Sequence, residues 1–230
     1  MKIKFNNCSH CHPPTTITEF QFNEEGIYSG KCPNGHDINF MTSLPLYEIL
    51  FSIGIQSFKD GYYCETVRSM TASLERFHEH FLKSFILGHT GDHLLTDDSW
   101  KEVRNQSERQ YGAFVIFFTA MFKKNPPSLS DKDRNFRNNI IHKGQIAKKE
   151  ETLDYCSKIL EIESYCFDKI FKRFEEVEKQ YRRHLNKERE SKGNPKIAYI
   201  NWEPVGHIFN KTTMEKDLTI EKILTRDYVI

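Results

Sequence analysis

After the N-terminal segment, apolar residues recur at spacings of three and four, the spacing of helices that bury one face. The pattern predicts a first helix over Leu44–Gly61 and a stronger second helix over Tyr62–Leu87. Two histidines of the second helix, His78 and His80, are expected on its exposed face. The positions expected to be buried are Val67, Met70, Leu74, Phe77, Phe81 and Phe85.

A third helix is predicted over Ser99–Lys124, with Asp97 or Asp98 as its N-cap after a loop over 88–96. Its middle, Arg104–Gln110, is polar, so this helix is expected to be partly exposed or to project over a cleft. A proline pair then breaks the helical pattern. The apolar positions are Trp100, Val103, Phe114, Phe117, Phe118 and Met121.

A short helix and a long helix follow. Ser130 or Asp131 can cap the short one, and Gly144 is expected to end it. The long helix is predicted over Lys148–Glu190, with a buried stripe at Leu153, Cys156, Leu160, Phe167, Ile170, Phe174, Val177 and Tyr181.

The part of the long helix beyond Glu175 is densely charged, which predicts that it extends past the core or packs only against a partner. Three cations in it, Arg182, Arg183 and Lys187, could contact phosphate. A solvated helix end is the favoured interpretation of all three.

The N-terminal segment has a different pattern. Ile17–Phe22 alternates apolar and polar residues, and Ile27–Lys31 can return as a second strand after a turn, which predicts a β-hairpin. At the other end, Lys196–Glu203 resembles a short strand and Met214–Leu224 a weak helix. The expected fold is therefore mainly α, a bundle of four or five helices preceded by a small β-hairpin.

These elements predict three parts of the chain: a small module over residues 1–42, a helical bundle over 43–190 and a C-terminal extension over 191–230. The total of 230 residues suffices for one good core and an accessory module. The C-terminal extension carries no chemical motif.

Composition adds two constraints. The net charge of +1 gives no global basic field for nucleic acid, although a site that needs only a few cations remains compatible with it. The longest apolar run, Ala113–Phe122, is too short to span a bilayer, and no apolar stretch follows the N-terminal lysines. We therefore expect a cytoplasmic protein without a membrane partner.

Four residues of the N-terminal module have metal-ligand spacing. Cys8 and Cys11 form a C-x2-C pair, and Cys32 and His36 form a C-x3-H pair. Two such pairs at the ends of a hairpin supply the four tetrahedral ligands of a structural zinc ribbon and leave no open position for catalysis. His10 and His12 compete for a ligand position, but exposed loop histidines are the favoured interpretation. Cys156 and Cys166 are interpreted as core thiols, and this use of cysteine fits a reducing compartment.

The segment Asp133–Gly144 holds the candidate chemistry. Arg137 and His142 are basic, and Asn138 lies four residues before His142, on the same helix face. His142 is expected in the last helical turn, where the helix dipole favours its protonated form by a few tenths to about 1 kcal/mol. By themselves, an arginine and a histidine in a charged helix are surface residues.

The pattern Arg137-Asn138-x-x-x-His142 resembles the Arg-x4-6-His signature of the HEPN superfamily, the higher eukaryotes and prokaryotes nucleotide-binding domain. The resemblance covers residues 137–144 as a motif and Leu44–Glu190 as architecture, since the family is a bundle of four or five helices. It implies a metal-independent endoribonuclease whose composite site forms where two copies of the motif meet in a homodimer. Many HEPN proteins act as toxins or as abortive-infection or antiphage effectors.

The resemblance also implies roles for single residues. His142 would exchange a proton, Arg137 would hold phosphate oxygens and Asn138 would orient either His142 or the phosphate. Arg134 and Lys143 would widen the phosphate contact. The alternatives are a salt bridge from Arg134 to a neighbouring aspartate and an ordinary surface role for Lys143.

Two other functions remain open. The chain could be a binding module for nucleic acid or protein that does not cleave RNA, with the bundle as its dimerisation scaffold. It could also be an enzyme that a partner such as an antitoxin silences. Glu75 is either a surface charge or a residue that faces the site, and the sequence does not decide between the two.

Overall fold

The computed structural model describes residues 2–5, 8, 10–11, 18–21, 23, 25–42, 44–193, 200–202 and 218–225. The described residues form a mainly α-helical fold with a small β unit before it, as predicted. The helices are α1 (Leu46–Lys59), α2 (Tyr63–Thr90), α3 (His93–Val103), α4 (Ser107–Phe122), α5 (Asp131–Lys143), α6 (Lys149–Lys192) and α7 (Ile220–Thr225).

The helices enclose one large hydrophobic core around α2. Tyr47 and Phe51 of α1, Phe77 of α2, Phe114 of α4 and Tyr155 of α6 are all fully buried in it. Cys156 and Cys166 are buried in the same core, which confirms their assignment as core thiols. The side chains of Phe174 and Val177, which were predicted to be buried, lie outside the described residues.

The prediction of one third helix is wrong. Two helices, α3 and α4, occupy this region. The preceding helix α2 continues to Thr90, and α3 begins at His93, before the predicted start. The N-cap is Asp92, whose carboxylate accepts from the Leu95 backbone N–H at 3.1 Å. The polar stretch predicted as the middle of the third helix contains the break between α3 and α4.

The predicted exposure of His78 and His80 is also wrong. Their side chains are buried, at 6% exposure for His78 and 3% for His80. Helix α4 covers His78, and the part of α6 beyond Glu175 (distal α6) contacts His80. His78 stacks on Phe114 at 4.4 Å between ring centroids, and His80 meets the ring of Tyr181 at 4.9 Å. The buried face of α2 is therefore wider than the spacing of its apolar residues predicts.

The β unit contains a hairpin, but the predicted strand pairing is wrong. Thr18–Gln21 (β2) pairs with Lys2–Phe5 (β1), and Ile27–Lys31 (β3) pairs with Asp37–Thr42 (β4), both antiparallel. The β3–β4 turn contains Gly35 at φ +85°, a conformation that glycine adopts without a steric penalty. Alternation marks a strand but does not identify its partner, so the sequence could not choose between these pairings.

The charged part of α6 does not extend away from the molecule, which corrects that prediction. Arg182 is bonded to the buried carboxylate of Glu48 in α1 at 2.8 Å. Arg189 donates to the backbone carbonyls of Thr42 and Leu44, where β4 leads into α1. Arg183 and Lys187 are exposed, in agreement with a solvated surface.

The C-terminal elements join both parts of the fold. Ile200–Trp202 (β5) adds to β4 as a parallel strand, and α7 places Ile220 and Ile223 in the helical core. The remaining residues of the predicted strand and helix, 196–199, 203 and 214–217, lie outside the described residues. Among the helices that the structure describes, none is long and apolar enough to cross a membrane.

Candidate functional site

Local interactions fix both ends of α5, the helix that carries the candidate motif. The Ser130 hydroxyl accepts from the Asp133 backbone N–H at 3.2 Å, and the Asp133 carboxylate accepts from the Ser130 backbone N–H at 3.1 Å. This reciprocal arrangement is a capping box. Gly144 ends the helix at φ +70°, so His142 lies in the last turn, as predicted.

The guanidinium of Arg137 has one hydrogen-bond acceptor and one nearby carboxylate. Its Nε donates to Asn138 Oδ1 at 3.0 Å, and its Nη1 lies 3.9 Å from Glu75 Oε1 of α2. The arginine and glutamate side chains are both half-buried, at 26% and 34% exposure. Arg137 is therefore a positioned cation at a partly desolvated place, and Glu75 faces the motif instead of being only a surface charge.

Arg137 lies at the edge of a cleft of about 230 Å³. One face of α2 forms its floor, the first turns of α4 form one wall, and the segment before α5 forms another. Its lining combines apolar groups with two carboxylates, and includes Leu74, Tyr111, Leu129, Ile162, Glu75 and Glu108. Apolar walls with a few convergent polar groups are typical of ligand sites.

Burial shifts two titratable groups of the cleft. It raises the pKa of Glu75, an effect that the charges of Arg137 and Arg76 only partly offset. Burial and then the charge of Arg76 lower the pKa of His78 to about 3. His78 is therefore a neutral imidazole at neutral pH and cannot supply a proton to a reaction there.

His142 does not face this cleft. It follows Arg137 by five positions along the helix, which places the two side chains about 140° apart around the helix axis. His142 and Lys143 are both exposed at the end of α5. One chain thus presents the arginine at a cleft and the histidine on a neighbouring surface, with Asn138 on the histidine side.

Arg134 contacts backbone instead of a carboxylate. Its Nε and Nη2 donate to the Leu129 carbonyl at 3.0 and 2.6 Å, so the expected salt bridge to Asp131 or Asp133 is not its principal contact. The side chain is still exposed and lines the cleft. It therefore both fixes the segment before α5 and places positive charge at the cleft edge.

Sequence reasoning did not assign Glu75, Glu108 and Tyr111 to the site. Within α2 a signal exists, because Thr71, Leu74, Glu75 and His78 follow helical spacing and line one cleft. The approach of α4 to this face has no counterpart in local sequence.

The four predicted metal ligands come together in the β unit. The Sγ atoms of Cys8, Cys11 and Cys32 lie 3.8, 3.4 and 3.5 Å from His36 Nδ1, and the Cys11 and Cys32 sulfurs are 3.9 Å apart. All four ligand atoms lie within 4.8 Å of one another. This group can hold a metal ion.

Backbone hydrogen bonds shape both ligand pairs. The Cys11 N–H donates to the Cys8 carbonyl at 3.1 Å, and the Gly35 N–H donates to the Cys32 carbonyl at 2.8 Å. The Asn34 side chain also donates to the Cys11 sulfur at 3.3 Å. Such outer contacts orient metal ligands.

The competing histidines have different outcomes. His10 is exposed, as expected for a loop histidine, although its ring centroid is 5.3 Å from that of His36. His12 lies outside the described residues.

Comparison of the chain with protein-family models, with curated proteins and with solved structures gave no match.

Proposed function

We propose that the protein is a metal-independent endoribonuclease of the HEPN type, in which two chains together form one RNA-cleaving site. The observation that carries this proposal is the arrangement on α5. Arg137 is positioned by Asn138 and Glu75 at the edge of a cleft, and His142 is exposed at the end of the same helix.

The reaction needs groups that one chain does not bring together. The 2′-oxygen attacks the neighbouring phosphorus and loses its proton to one imidazole. The bond from phosphorus to the 5′-oxygen breaks, and that oxygen takes a proton from a second, protonated imidazole. His142 and the partner's His142 can fill these two roles, while Arg137 neutralises the charge on the phosphorane oxygens.

Exposed apolar side chains near the end of α5 support a surface for the second chain. Ile146, just after α5, is 77% exposed, and Tyr62, at the start of α2, is 65% exposed. The two segments meet where the Ala147 N–H approaches Cys64 Sγ at 3.4 Å. Burying these side chains in a homodimer would bring two copies of His142 towards each other and contribute apolar contact area.

Cleavage of a mixed RNA pool tests this function. Wild-type protein is expected to cut RNA in the presence of EDTA and to leave 2′,3′-cyclic phosphate ends, with zinc retention checked by mass spectrometry. Arg137→Ala and His142→Ala should each slow cleavage by about 100-fold or more. Arg183→Ala is the matched control, because Arg183 is an exposed α6 arginine that pairs with Glu176. Equal cleavage by wild type and His142→Ala would refute the assignment.

The alternative is a binding module that does not cleave RNA. The ion pair between Arg137 and Glu75 favours it, because a guanidinium that is already partly neutralised suits a structural role. Tight RNA binding without cleavage in the same assay would support this alternative. If a partner such as an antitoxin or another defence protein silences the enzyme, wild type but not His142→Ala should be toxic when expressed alone in the cytoplasm.

We also propose that the metal is structural Zn²⁺. A tetrahedral ion about 2.3 Å from sulfur and 2.0–2.1 Å from nitrogen separates two sulfurs by about 3.8 Å and a sulfur from the nitrogen by about 3.6 Å. The distances between the ligand atoms of Cys11, Cys32 and His36, from 3.4 to 3.9 Å, match these values. Three thiolates and one imidazole are a donor set that zinc prefers, and elemental analysis of the purified protein tests its identity.

A further inference from the structure

We propose that the cleft beside Arg137 binds one nucleobase of the RNA substrate, and that Glu75 and Glu108 make it selective for guanine. The inference rests on the proposed function in one respect, since it takes the anion at Arg137 to be an RNA phosphate. It goes further in naming the base and the residues that select it.

The charge distribution orients the ligand. Two carboxylates, Glu75 of α2 and Glu108 of α4, line the cleft, and its two guanidinium groups, Arg134 and Arg137, belong to α5. A phosphate is repelled by the carboxylates and attracted by the arginines. The part of the ligand that enters the cleft is therefore uncharged, and the phosphate stays at the arginine side.

The walls favour a flat apolar group of limited size. Tyr111, Leu74, Pro127, Leu129 and Ile162 provide aromatic and aliphatic contact surface. The volume of about 230 Å³ is below the roughly 300–1,000 Å³ of sites for drug-sized ligands, which suits a single base. An aromatic side chain such as Tyr111 is also a common stacking partner for an unpaired base.

Glu75 can accept hydrogen bonds from a ligand. Its ion-pair partner Arg137 lies 3.9 Å away, beyond hydrogen-bond distance, and the charges of Arg137 and Arg76 only partly offset the effect of its burial. Burial raises its pKa, which reflects the cost of an ionised carboxylate there. A ligand that donates to this carboxylate would offset that cost.

Guanine fits this requirement better than the other bases. Its Watson–Crick edge carries two adjacent donors, N1–H and the N2 amino group, which a carboxylate can accept together. Uracil has a single N–H donor on that edge, and cytosine and adenine each place an acceptor beside their amino group. Glu75 is the primary acceptor because it is the more buried of the two glutamates, and Glu108 supports it from the wall that α4 forms.

Binding to uncleavable RNA tests the pocket separately from cleavage. Short fluorescent RNAs with a 2′-deoxy linkage at the scissile position would carry guanine, adenine or inosine (guanine without its N2 amino group) at one site. Wild type should bind the guanine RNA about tenfold more tightly than the adenine RNA, with inosine between them. Glu75→Gln should reduce the preference to about twofold, because an amide cannot accept both donors.

The control is Glu65→Gln, an exposed glutamate of α2 that pairs with Arg68, and it should keep the full preference. Equal wild-type affinity for guanine, adenine and inosine would overturn the pocket even if the protein cuts RNA. A guanine preference that Glu75→Gln retains would overturn the role of Glu75. If Glu75→Gln does not fold, the inosine comparison in wild type still decides the proposal. A guanine preference in this binding assay, together with no cleavage of the mixed RNA pool, would keep the pocket and reject the nuclease.

Discussion

At the scale of single residues, burial decides the chemistry of several acidic groups. Glu163 of α6 is fully buried and accepts from the Ser73 hydroxyl at 2.9 Å, while its other oxygen has no partner in the described part of the chain. Burial raises its pKa well above the ordinary value of 4.5, and the nearby Glu48 raises it further. Glu163 is therefore expected to be protonated in the folded protein over a wide range of pH.

This shift predicts how stability depends on pH. Above the ordinary pKa of 4.5 the unfolded state releases the proton of Glu163 and the folded state keeps it, so Glu163 lowers stability as pH rises towards its folded pKa. Glu163→Gln should therefore gain stability over wild type by up to about 1.4 kcal/mol per pH unit above about pH 5. Urea unfolding at several pH values measures this difference.

The matched control is Glu161→Gln, an exposed glutamate of the same helix that pairs with Lys158 at 2.8 Å. Its effect on unfolding should change little with pH, because an exposed pair contributes little. A stability difference between Glu163→Gln and wild type that is independent of pH would contradict the assignment of Glu163 as a neutral acid.

At the scale of elements, α5 is defined by its ends. Its capping box starts it, and Gly144 at φ +70° stops it just after His142. Gly144 therefore places His142 in the exposed last turn of the helix. The helix end is therefore part of the candidate site.

Gly144, with its left-handed backbone, tests the assigned end of α5, and Gly112 inside α4 serves as the comparison. A Cβ on Gly144 would meet no atom within 4 Å, so Gly144→Ala should cost about 1 kcal/mol through its left-handed backbone alone. Gly112 inside α4 also has open space, so Gly112→Ala should instead stabilise by up to about 1 kcal/mol. Thermal and urea unfolding measure both shifts, and a stabilising Gly144→Ala would contradict the assigned helix end.

At the scale of the whole molecule, the metal site and the bundle are linked through one hairpin. Cys32 and His36 flank the turn between β3 and β4, and the open end of this hairpin contacts α6 through Arg189. A hairpin with so small a core would draw folding energy from a metal ion bound to the proposed site. Loss of the metal should therefore loosen the docking of distal α6.

Hydrogen exchange measures this linkage. Cys32→Ser should reduce metal binding and increase exchange over residues 27–42 and 182–192, while the core of α2 stays protected. Cys64→Ser is the control, because Cys64 is a free thiol outside the metal group. Unchanged exchange over 182–192 in a zinc-free protein would separate the metal site from the bundle.

The sequence by itself determined what depends on neighbours along the chain. Ser130, Asp133 and Gly144 set the bounds of α5 through local hydrogen bonds and backbone conformation. The two ligand pairs, Cys8 with Cys11 and Cys32 with His36, were predictable because each pair lies in one tight turn. The mainly helical fold followed from apolar spacing over long segments.

Only the tertiary structure decided which surfaces meet. Periodicity marks the face of α2 that is buried, but it does not say that α4 covers His78 or that Arg137 of α5 approaches Glu75. It likewise left open which strand pairs with β3 and where Arg189 docks. These contacts join residues far apart in the chain, and their free energy depends on the packing of the whole molecule, which no local pattern encodes.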